Sequence, residues 1–317
     1  MGPAVKGSRA ALQPAAFRGR PVVMRMLVSA LLLVAAPAMA APVDLPVALP
    51  DGRTLNLYCQ GSSGPVVLFD AGWAADSRVW RRVMAQLPGD VRACAADRAG
   101  QGKSSPGPMP RDGEAVARDL QAAATAAKLP GPWLLVGHSL GGLNMRHFVR
   151  LFPADVAGLL LLDPTGLSRP GAFAPLVARS RGCVAALTAD EFPADRPDLA
   201  RCKAEDRQAA LARWEARLSE IESAGESTSA GLADQGPGSL TVPLIVLRPG
   251  PQGVAADGFA DPLATLSAKG EARLVPGSGH MIMLDQPGAV VQAIANLLAA
   301  ADRHSNDEKA VIKKSQQ

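Results

Sequence analysis

The sequence predicts an α/β fold, with a mostly parallel β-sheet covered by helices on both faces and a helical cap inserted into it. Short apolar runs without polar alternation, typical of strands buried on both faces, recur along most of the chain. Helical patterns separate these runs, as expected where helices connect parallel strands. From residue 164 to residue 240 the alternation stops, and a polar, helix-rich segment intervenes before strands and helices return.

The elements before residue 164 alternate regularly. The turn signal Pro50-Asp51-Gly52 introduces the first strand, and apolar side chains recur on one face of the first helix, at Val79, Trp80, Val83 and Leu87. An alanine-rich amphipathic pattern forms the second helix, and a proline-glycine-proline sequence ends it. The predicted strands are Arg53–Gly61, Pro65–Gly72, Val91–Ala99, Trp133–Gly137 and Val156–Asp163, and the predicted helices are Ser77–Leu87, Asp112–Lys128 and Gly141–Phe152.

After residue 163 the chain is predicted to contain the cap, the rest of the sheet domain and a tail. In the cap, Asp198–Glu222 is charged and has no β-branched run, which is typical of a helix. The second part of the sheet domain is predicted to contain the strands Val242–Leu247 and Ala272–Pro276 and the helices Asp261–Ala268 and Pro287–Ala301. The predicted segments are a leader at 1–40, the sheet domain at 41–163 and 241–303, the cap at 164–240 and a disordered polar tail at 304–317.

The first 40 residues have the pattern of an export leader. Basic residues precede the apolar run Leu27–Ala36, and Ala38-Met39-Ala40 is a small-x-small cleavage signal. The apolar run is shorter than the about 20 residues that span a membrane. We therefore expect cleavage after Ala40 and an exported, periplasmic or secreted protein with no stable membrane span. A start of translation at Met24 and an uncleaved anchor are the alternatives.

The net charge of +4 comes from this leader. A basic isoelectric point would otherwise favour nucleic acid or an anionic membrane as a partner. Residues 1–40 hold five basic side chains and no acidic one, so the rest of the chain has 28 basic and 29 acidic residues. The position of the charges therefore argues against both partners.

Gly137-His138-Ser139-Leu140-Gly141 matches the pattern G-x-S-x-G. The bare pattern is weak, but here it follows a predicted buried strand and opens a predicted helix, the context of a nucleophile elbow. Such a turn strains the backbone of its serine, and flanking glycines let the neighbouring chain approach. The helix N-terminus directs free N–H groups at the site. Ser139 is therefore the candidate nucleophile.

A serine hydroxyl needs a base within hydrogen-bond reach, and the chain has four histidines. His138 lies beside the serine, and its side chain is expected to point away. His147 is about two turns along the next helix, and His304 is in the tail. His280 follows the last strand in Gly277-Ser278-Gly279-His280, and it comes after Ser139 in the chain, as the order of such triads requires. His280 is therefore the candidate base.

With these motifs the chain resembles the α/β-hydrolase superfamily from about Val43 to Arg303. Asp97–Ser104 (DRAGQGKS) is similar to the D-R-x-G-x-G-x-S segment after the fourth strand of many members. Gly277–Pro287 (GSGHMIMLDQP) resembles the loop of the catalytic histidine. The resemblance implies an eight-stranded, mostly parallel sheet and a Ser-His-Asp triad, and it leaves the substrate open.

The resemblance suggests two places for the acid. Many relatives carry it in a G-x-x-D segment after the strand that follows the cap, where this chain has the uncharged Gln252. An amide can orient the imidazole but cannot stabilise its cation. Other members carry the acid at the end of the preceding strand, where Asp163 stands in this chain. We prefer Asp163, with Asp257 or Asp261 as the alternative.

An oxyanion hole needs two N–H donors where charge develops in the transition state. One donor belongs to the residue after the nucleophile, Leu140. The resemblance places the other in the loop after the Pro65–Gly72 strand, where relatives often have H-G-x and this chain has Ala71-Gly72-Trp73. Because the donor is a backbone group, the Trp73 N–H is expected to serve.

The resemblance also implies how the four cysteines pair. The second and fourth strands are neighbours in the superfamily, and Cys59 and Cys94 lie on these strands here. Cys183 and Cys202 both lie in the cap, where a disulfide would stabilise a short loop by about 3 kcal/mol. Disulfides suit an exported protein, and four buried thiols are the alternative. The cysteines lack the close spacing of a zinc or redox site.

Together these residues favour a serine hydrolase that cleaves a small or medium carboxylic ester through an acyl-enzyme. Amidases, peptidases, thioesterases, lactonases and C–C-bond hydrolases use the same triad and are alternatives, as is a non-catalytic binding protein of this fold. Ser139 argues against haloalkane dehalogenases and epoxide hydrolases, which have Asp at this position. The sequence contains no glycine-rich nucleotide loop and no carboxylate–histidine cluster, so we predict no cofactor and no metal.

Overall fold

The computed structural model describes residues 41–254 and 258–315, and their side chains as far as residue 303. The predicted leader and the alternative acid Asp257 therefore lie outside the described residues. Within the described part of the chain, no helix is long and apolar enough to cross a membrane.

Eight strands form one sheet in the order β1-β2-β4-β3-β5-β6-β7-β8. β2 pairs antiparallel with both β1 and β4, and the other neighbours are parallel. The eight-stranded, mostly parallel sheet that the sequence led us to expect is confirmed. The strands are β1 Val43–Ala48, β2 Thr54–Gln60, β3 Val66–Asp70, β4 Arg92–Ala96, β5 Trp133–His138, β6 Val156–Leu162, β7 Leu244–Gly250 and β8 Gly270–Pro276.

Nine α-helices connect or follow these strands in the described residues. They are α1 Arg81–Met84, α2 Gly113–Ala126, α3 Leu140–Leu151, α4 Ala174–Ala189, α5 Pro197–Ala200, α6 Arg207–Ala224, α7 Ser227–Ala230, α8 Ile282–Asp285 and α9 Pro287–Ser315.

The strands are apolar throughout because both faces of the sheet are covered. Every residue of β3 and β5 is buried. Leu68 and Leu135 join the core cluster that contains α2 and α3, whereas their neighbours Phe69 and Val136 join the cluster that contains α1 and α9. This period-2 division is the reason that these strands show no polar alternation.

The cap supplies four helices, α4 to α7, between β6 and β7. It has a small core of its own around Cys183, Leu187 and Trp214. The structure joins Cys183 to Cys202 in the cap and Cys59 to Cys94 across β2 and β4, which are the pairs expected from the sequence. Cys59 and Cys94 are direct partners in the antiparallel register, so their side chains emerge side by side.

Some elements differ from the prediction. β1 was not predicted, because it is an exposed edge strand without a buried run. The first helix is divided into a 3₁₀ turn at Ser77–Trp80 and α1, and Asp261–Ala268 is a 3₁₀ helix at Pro262–Leu266, where Asp261 caps the first turn. α9 continues to Ser315, beyond the predicted end at Ala301 and into the predicted tail, since no proline or glycine interrupts it there.

Candidate active site

Ser139 lies on the sharp turn between β5 and α3. Its backbone has φ 51° and ψ −118°, a conformation that costs a non-glycine residue on the order of 1–3 kcal/mol. Two hydrogen bonds join the turn to β6 and to the loop that follows it. Ser139 N donates to Leu162 O at 3.1 Å, and Thr165 N donates to Ser139 O at 3.1 Å. The strained backbone that the G-x-S-x-G pattern predicts is therefore present and is supported by hydrogen bonds from the loop after β6.

The two glycines of the motif allow close backbone contacts. A Cβ on Gly137 would lie 2.6 Å from Gly141 O, and a Cβ on Gly141 would lie 2.6 Å from Ala71 O. Real Cβ atoms do not approach an oxygen this closely. A side chain at either position would therefore push apart β5, α3 and the loop after β3, which together form the turn.

His280 and Asp163 meet at the same edge of the sheet. β6 and β8 are parallel and lie on either side of β7, so the loops that follow them leave the sheet at the same edge. His280 Nδ1 hydrogen-bonds to Asp163 Oδ2 at 2.6 Å. Asp163 itself has φ 36°, a second non-glycine residue with a strained backbone at this edge. The His280 side chain is 54% exposed, so the pair is open to solvent and to a ligand.

Arg248 on β7 holds Asp163 from the other side. Its Nη1 donates to Asp163 Oδ1 at 3.0 Å, and its Nε donates to Asp261 Oδ2 at 2.6 Å. Burial opposes the guanidinium cation, but the two carboxylates outweigh it and raise the pKa of Arg248. Each Asp163 oxygen therefore has one partner, His280 or Arg248. The role of Arg248 could not be predicted from the sequence, because an arginine on a strand has no local signature of this role.

The alternative acid Asp261 is engaged elsewhere. Besides accepting from Arg248, its Oδ1 accepts from Leu263 N at 2.8 Å and so caps a short 3₁₀ helix. Asp261 is 7% exposed, and its oxygens have no hydrogen bond to His280. The geometry therefore associates His280 with Asp163 and gives Asp261 a structural contact.

Ser139 and His280 have no direct hydrogen bond between described atoms in this structure. Ser139 Oγ lies 3.4 Å from Thr165 Oγ1, a long contact for two hydroxyl groups. His280 is nevertheless beside the elbow, since the rings of His138 and His280 are 4.6 Å apart and His138 Nε2 lies 2.9 Å from His280 O. A rotation of the Ser139 side chain away from Thr165 would free its hydroxyl.

His138 is a buried, neutral support for the histidine loop. Burial, and secondarily the neighbouring His280, lower the pKa of His138 to about 4. Because the partner of Nε2 is a carbonyl oxygen, that nitrogen must carry the proton and donate. His147 is also buried, and burial lowers its pKa; its Nε2 contacts Thr228 O of the cap. Both histidines therefore make contacts within the fold.

The backbone between Ala71 and Trp73, here called the oxyanion loop after its predicted role, passes next to Ser139. A Cβ on Gly72 would lie 2.9 Å from His138 Nδ1 and 3.2 Å from Ser139 Cβ. Leu140 is the first residue of α3, so its N–H has no acceptor within the helix. The two predicted donors, the N–H groups of Trp73 and Leu140, therefore belong to chain segments that meet at Ser139.

No group of three or more potential metal ligands occurs among the residues that the structure describes. The side chains gathered at the carboxyl edge of the sheet are a serine hydroxyl, an imidazole and a carboxylate. Such a group is suited to proton transfer and covalent catalysis.

Comparison with known proteins gives the same fold and family. The model of the alpha/beta hydrolase family matches residues 66–293. An esterase of Mycobacterium tuberculosis, Rv0045c, is 29% identical over 262 residues, which cover 75% of this chain and 84% of that protein. The Bacillus subtilis protein YqjL is 32% identical over 105 residues, and the match spans 33% of this chain and 42% of YqjL.

Solved structures agree with this result at the level of the fold. An esterase from Thermogutta terrifontis has a TM-score of 0.60 and 23% identity, with 83% of this chain and 99% of that chain covered. The family model covers well over half of the chain. The chain therefore belongs to the α/β-hydrolase family.

Proposed function

We propose that this α/β hydrolase is a serine esterase that cleaves carboxylic esters through an acyl-enzyme. The observation that carries the proposal is the strained serine on the β5–α3 turn beside a histidine that is hydrogen-bonded to a strand-end aspartate. The similarity to the mycobacterial esterase supports an ester as substrate. The exposed His280 supports a substrate that enters from solvent.

The proposed roles rest on the hydrogen bond between His280 and Asp163 and on the position of Ser139 at the neighbouring turn. With its Nδ1–H directed at Asp163, His280 presents Nε2 as the proton acceptor. Ser139 Oγ attacks the acyl carbon and transfers its proton to Nε2, which then protonates the departing alcohol. Asp163 stabilises the imidazolium, and Arg248 keeps the carboxylate in place. Water, deprotonated by the same imidazole, releases the acid and restores the serine.

The N–H groups of Leu140 and Trp73 would bind the oxygen that becomes negative during both steps. Losing one such donor typically lowers kcat by about 10²–10³. The Leu140 N–H is at a helix N-terminus, where the helix dipole also favours negative charge.

The surroundings of Ser139 favour an apolar acyl or alkyl group. Leu140 and Leu143 of α3 pack with Ile221, Ala224 and Leu232 of the cap, and partly buried aromatic and aliphatic side chains complete the cluster. Its partly buried members are Trp73, Phe173, Leu176 and Val177. We propose that the partly buried members of this cluster receive a short or medium alkyl chain of the ester, and that a charged substrate is disfavoured there.

A panel of p-nitrophenyl esters with acyl chains of increasing length, together with anilides and lactones, tests the proposal. We expect the wild-type protein to hydrolyse esters, and Ser139→Ala to reduce turnover to the uncatalysed rate. A fluorophosphonate probe should label Ser139, as mapped by mass spectrometry. Equal rates for wild type and variant across the panel, together with no labelling, would contradict the proposal and favour a binding protein of this fold.

A further inference from the structure

A buried charge cluster contacts the oxyanion loop from inside the protein. Arg98 and Glu220 are 3% and 2% exposed. Arg98 Nε and Nη2 donate to the two carboxylate oxygens of Glu220 at 2.8 and 3.0 Å, and Arg98 Nη1 donates to Asp70 Oδ1 at 2.8 Å. Asn144 Nδ2 donates to the second oxygen of Asp70 at 2.8 Å. All four carboxylate oxygens are thus paired, as buried charges require.

The guanidinium keeps its charge in this cluster. Burial works against the cation, but the carboxylates of Asp70 and Glu220 outweigh it and raise the pKa of Arg98 above its ordinary value. A permanent cation therefore lies within hydrogen-bond distance of the loop that supplies an oxyanion donor.

Arg98 also binds the oxyanion loop directly. Its Nη1 donates to Ala71 O at 2.6 Å, and its Nη2 donates to Gly72 O at 3.0 Å. Gly72 O and the Trp73 N–H belong to the same peptide group, and in a trans peptide the carbonyl and the N–H point in opposite directions. Gly72 O also accepts from Ala75 N at 3.2 Å, so the guanidinium and this turn together fix the direction of the N–H. The guanidinium also polarises the peptide, which strengthens the N–H as a donor.

The other partner of Arg98 comes from the cap. Glu220 lies on α6, 122 residues from Arg98 in sequence. The same helix contacts the loop a second time, because Trp73 Nε1 donates to Arg217 O at 2.9 Å and Arg217 Nη2 donates to Ala74 O at 3.2 Å. α6 thus holds both the side chain of Trp73 and, through Arg98, its backbone.

We infer that Arg98 and Glu220 are positioning residues of the oxyanion hole, so that cap helix α6 helps to set the rate of the chemical step as well as covering the site. This inference rests on the proposed esterase function, in which the Trp73 N–H binds the oxyanion. In this chain, Arg98 of the D-R segment after β4 would then orient an oxyanion donor, and it would depend for this on Glu220 of the cap.

The physical consequence is a specific kinetic signature. Without the Glu220 carboxylate, Arg98 loses the anion that receives two of its donors. Its Nη1 stays bound to Asp70 Oδ1 and Ala71 O, so the guanidinium can pivot about that atom and move Nη2 away from Gly72 O. The Trp73 N–H then no longer points at one position, and the benefit of a preorganised donor is partly lost. The oxyanion exists only in the transition state and in the tetrahedral intermediates. The loss therefore falls on kcat, and KM is little changed.

Glu220→Gln tests this, because it keeps the shape of the side chain and removes its charge. The matched control is Glu222→Gln on the same helix, where Glu222 pairs with Arg181 on the protein surface. Each substitution removes one ion pair of α6. The Glu222–Arg181 pair, however, has no contact with the oxyanion loop. The rates are measured with a p-nitrophenyl ester, and the inhibition constant is measured with an alkyl trifluoromethyl ketone, which forms an oxyanion adduct on the serine.

We expect Glu220→Gln to lower kcat by about 10–100-fold with KM within about threefold of wild type, and Glu222→Gln to leave both unchanged. The inhibition constant of the ketone should rise by the factor by which kcat/KM falls. If Glu220→Gln does not fold, Glu220→Asp is measured in its place. This variant keeps the charge but shortens the side chain, and we expect it to lower kcat with little change in KM as well.

Each of the other outcomes is decisive. A folded Glu220 variant with wild-type kcat, or one in which only KM changes, would overturn this inference and leave the esterase proposal intact. A wild-type protein without Ser139-dependent turnover would overturn the proposed function and the inference together.

Discussion

His138 should make the stability of the protein depend on pH between about 6.5 and 4. The side chain is 2% exposed, and burial, with a smaller contribution from the ring of His280, lowers its pKa to about 4. The Asp163 carboxylate and the carbonyl of His280 act in the opposite direction without outweighing burial. In the unfolded chain the same imidazole titrates near 6.5. Between these two values the unfolded state binds the proton and the folded state does not.

The sign and the size follow from this difference. Because the unfolded state holds more protons, the free energy of unfolding falls as the pH is lowered through this window. With the pKa moved from 6.5 to about 4, the loss between pH 7 and pH 4.5 is about 2.5 kcal/mol. Carboxylates with lowered pKa values, such as Glu271 beside Arg273, lose their contribution only at lower pH, as they become protonated.

Urea unfolding at pH 7, 6, 5 and 4.5, at constant ionic strength and followed by tryptophan fluorescence, measures this dependence. His138→Gln is the informative variant, because a glutamine amide can still donate to His280 O and does not titrate. We expect the variant to lose about 2.5 kcal/mol less than wild type between pH 7 and 4.5. Buried His147 titrates in both proteins, so its contribution cancels. Glu271→Gln is the control and should follow the wild-type curve in this range.

Parallel curves for wild type and His138→Gln would refute the reasoning. They would mean that the buried imidazole of His138 takes up a proton in the folded state nearly as readily as in the unfolded chain. A larger pH dependence in the variant would refute it as well.

Two further predictions concern the site itself. Asp163→Asn should lower kcat by about 10³–10⁴ with an unchanged circular dichroism spectrum, because the imidazolium loses its counter-ion. Asp261→Asn should have a much smaller effect, since Asp261 contacts Arg248 and not His280, and similar losses in both variants would contradict this assignment. Gly72→Ala should slow fluorophosphonate labelling at least tenfold, because the added methyl group would lie 3.2 Å from Ser139 Cβ. Gly236→Ala, where nothing lies within 4 Å of the new Cβ, is the control and should label at the wild-type rate.

The elements that the sequence predicts well are those whose signal is local. A strand buried on both faces must be apolar along its length, so β3, β5 and β6 are evident as continuous apolar runs. The elbow is local too, since a strand, a tight turn with two glycines and a helix start occupy consecutive residues around Ser139. His280 can be predicted as the candidate base because the chain has few histidines and because His280 comes after Ser139, as the order of such triads requires.

The contacts that the sequence leaves open join residues far apart in the chain. Asp163 and His280 are separated by 117 residues, and the neighbouring Asp261 has the same chemistry. Which carboxylate meets the imidazole depends on the direction in which each loop leaves its strand, and the backbone of Asp163 with φ 36° contributes to that direction. The edge strand β1 was not predicted for a related reason. Its exposed residues form no apolar run, and the strand is held in the sheet by its pairing with β2.

By itself, the sequence determined the family, the candidate nucleophile and the succession of most strands and helices of the sheet domain, because these depend on patterns of a few consecutive residues. The tertiary structure alone decided which charged side chains are paired, at the candidate site and in the interior. Arg248 bridges Asp163 and Asp261, and Arg98 joins the oxyanion loop to Glu220 on the cap. A buried ion pair depends on the distance and orientation of two side chains, and these are known only once the sheet and the cap have been packed together.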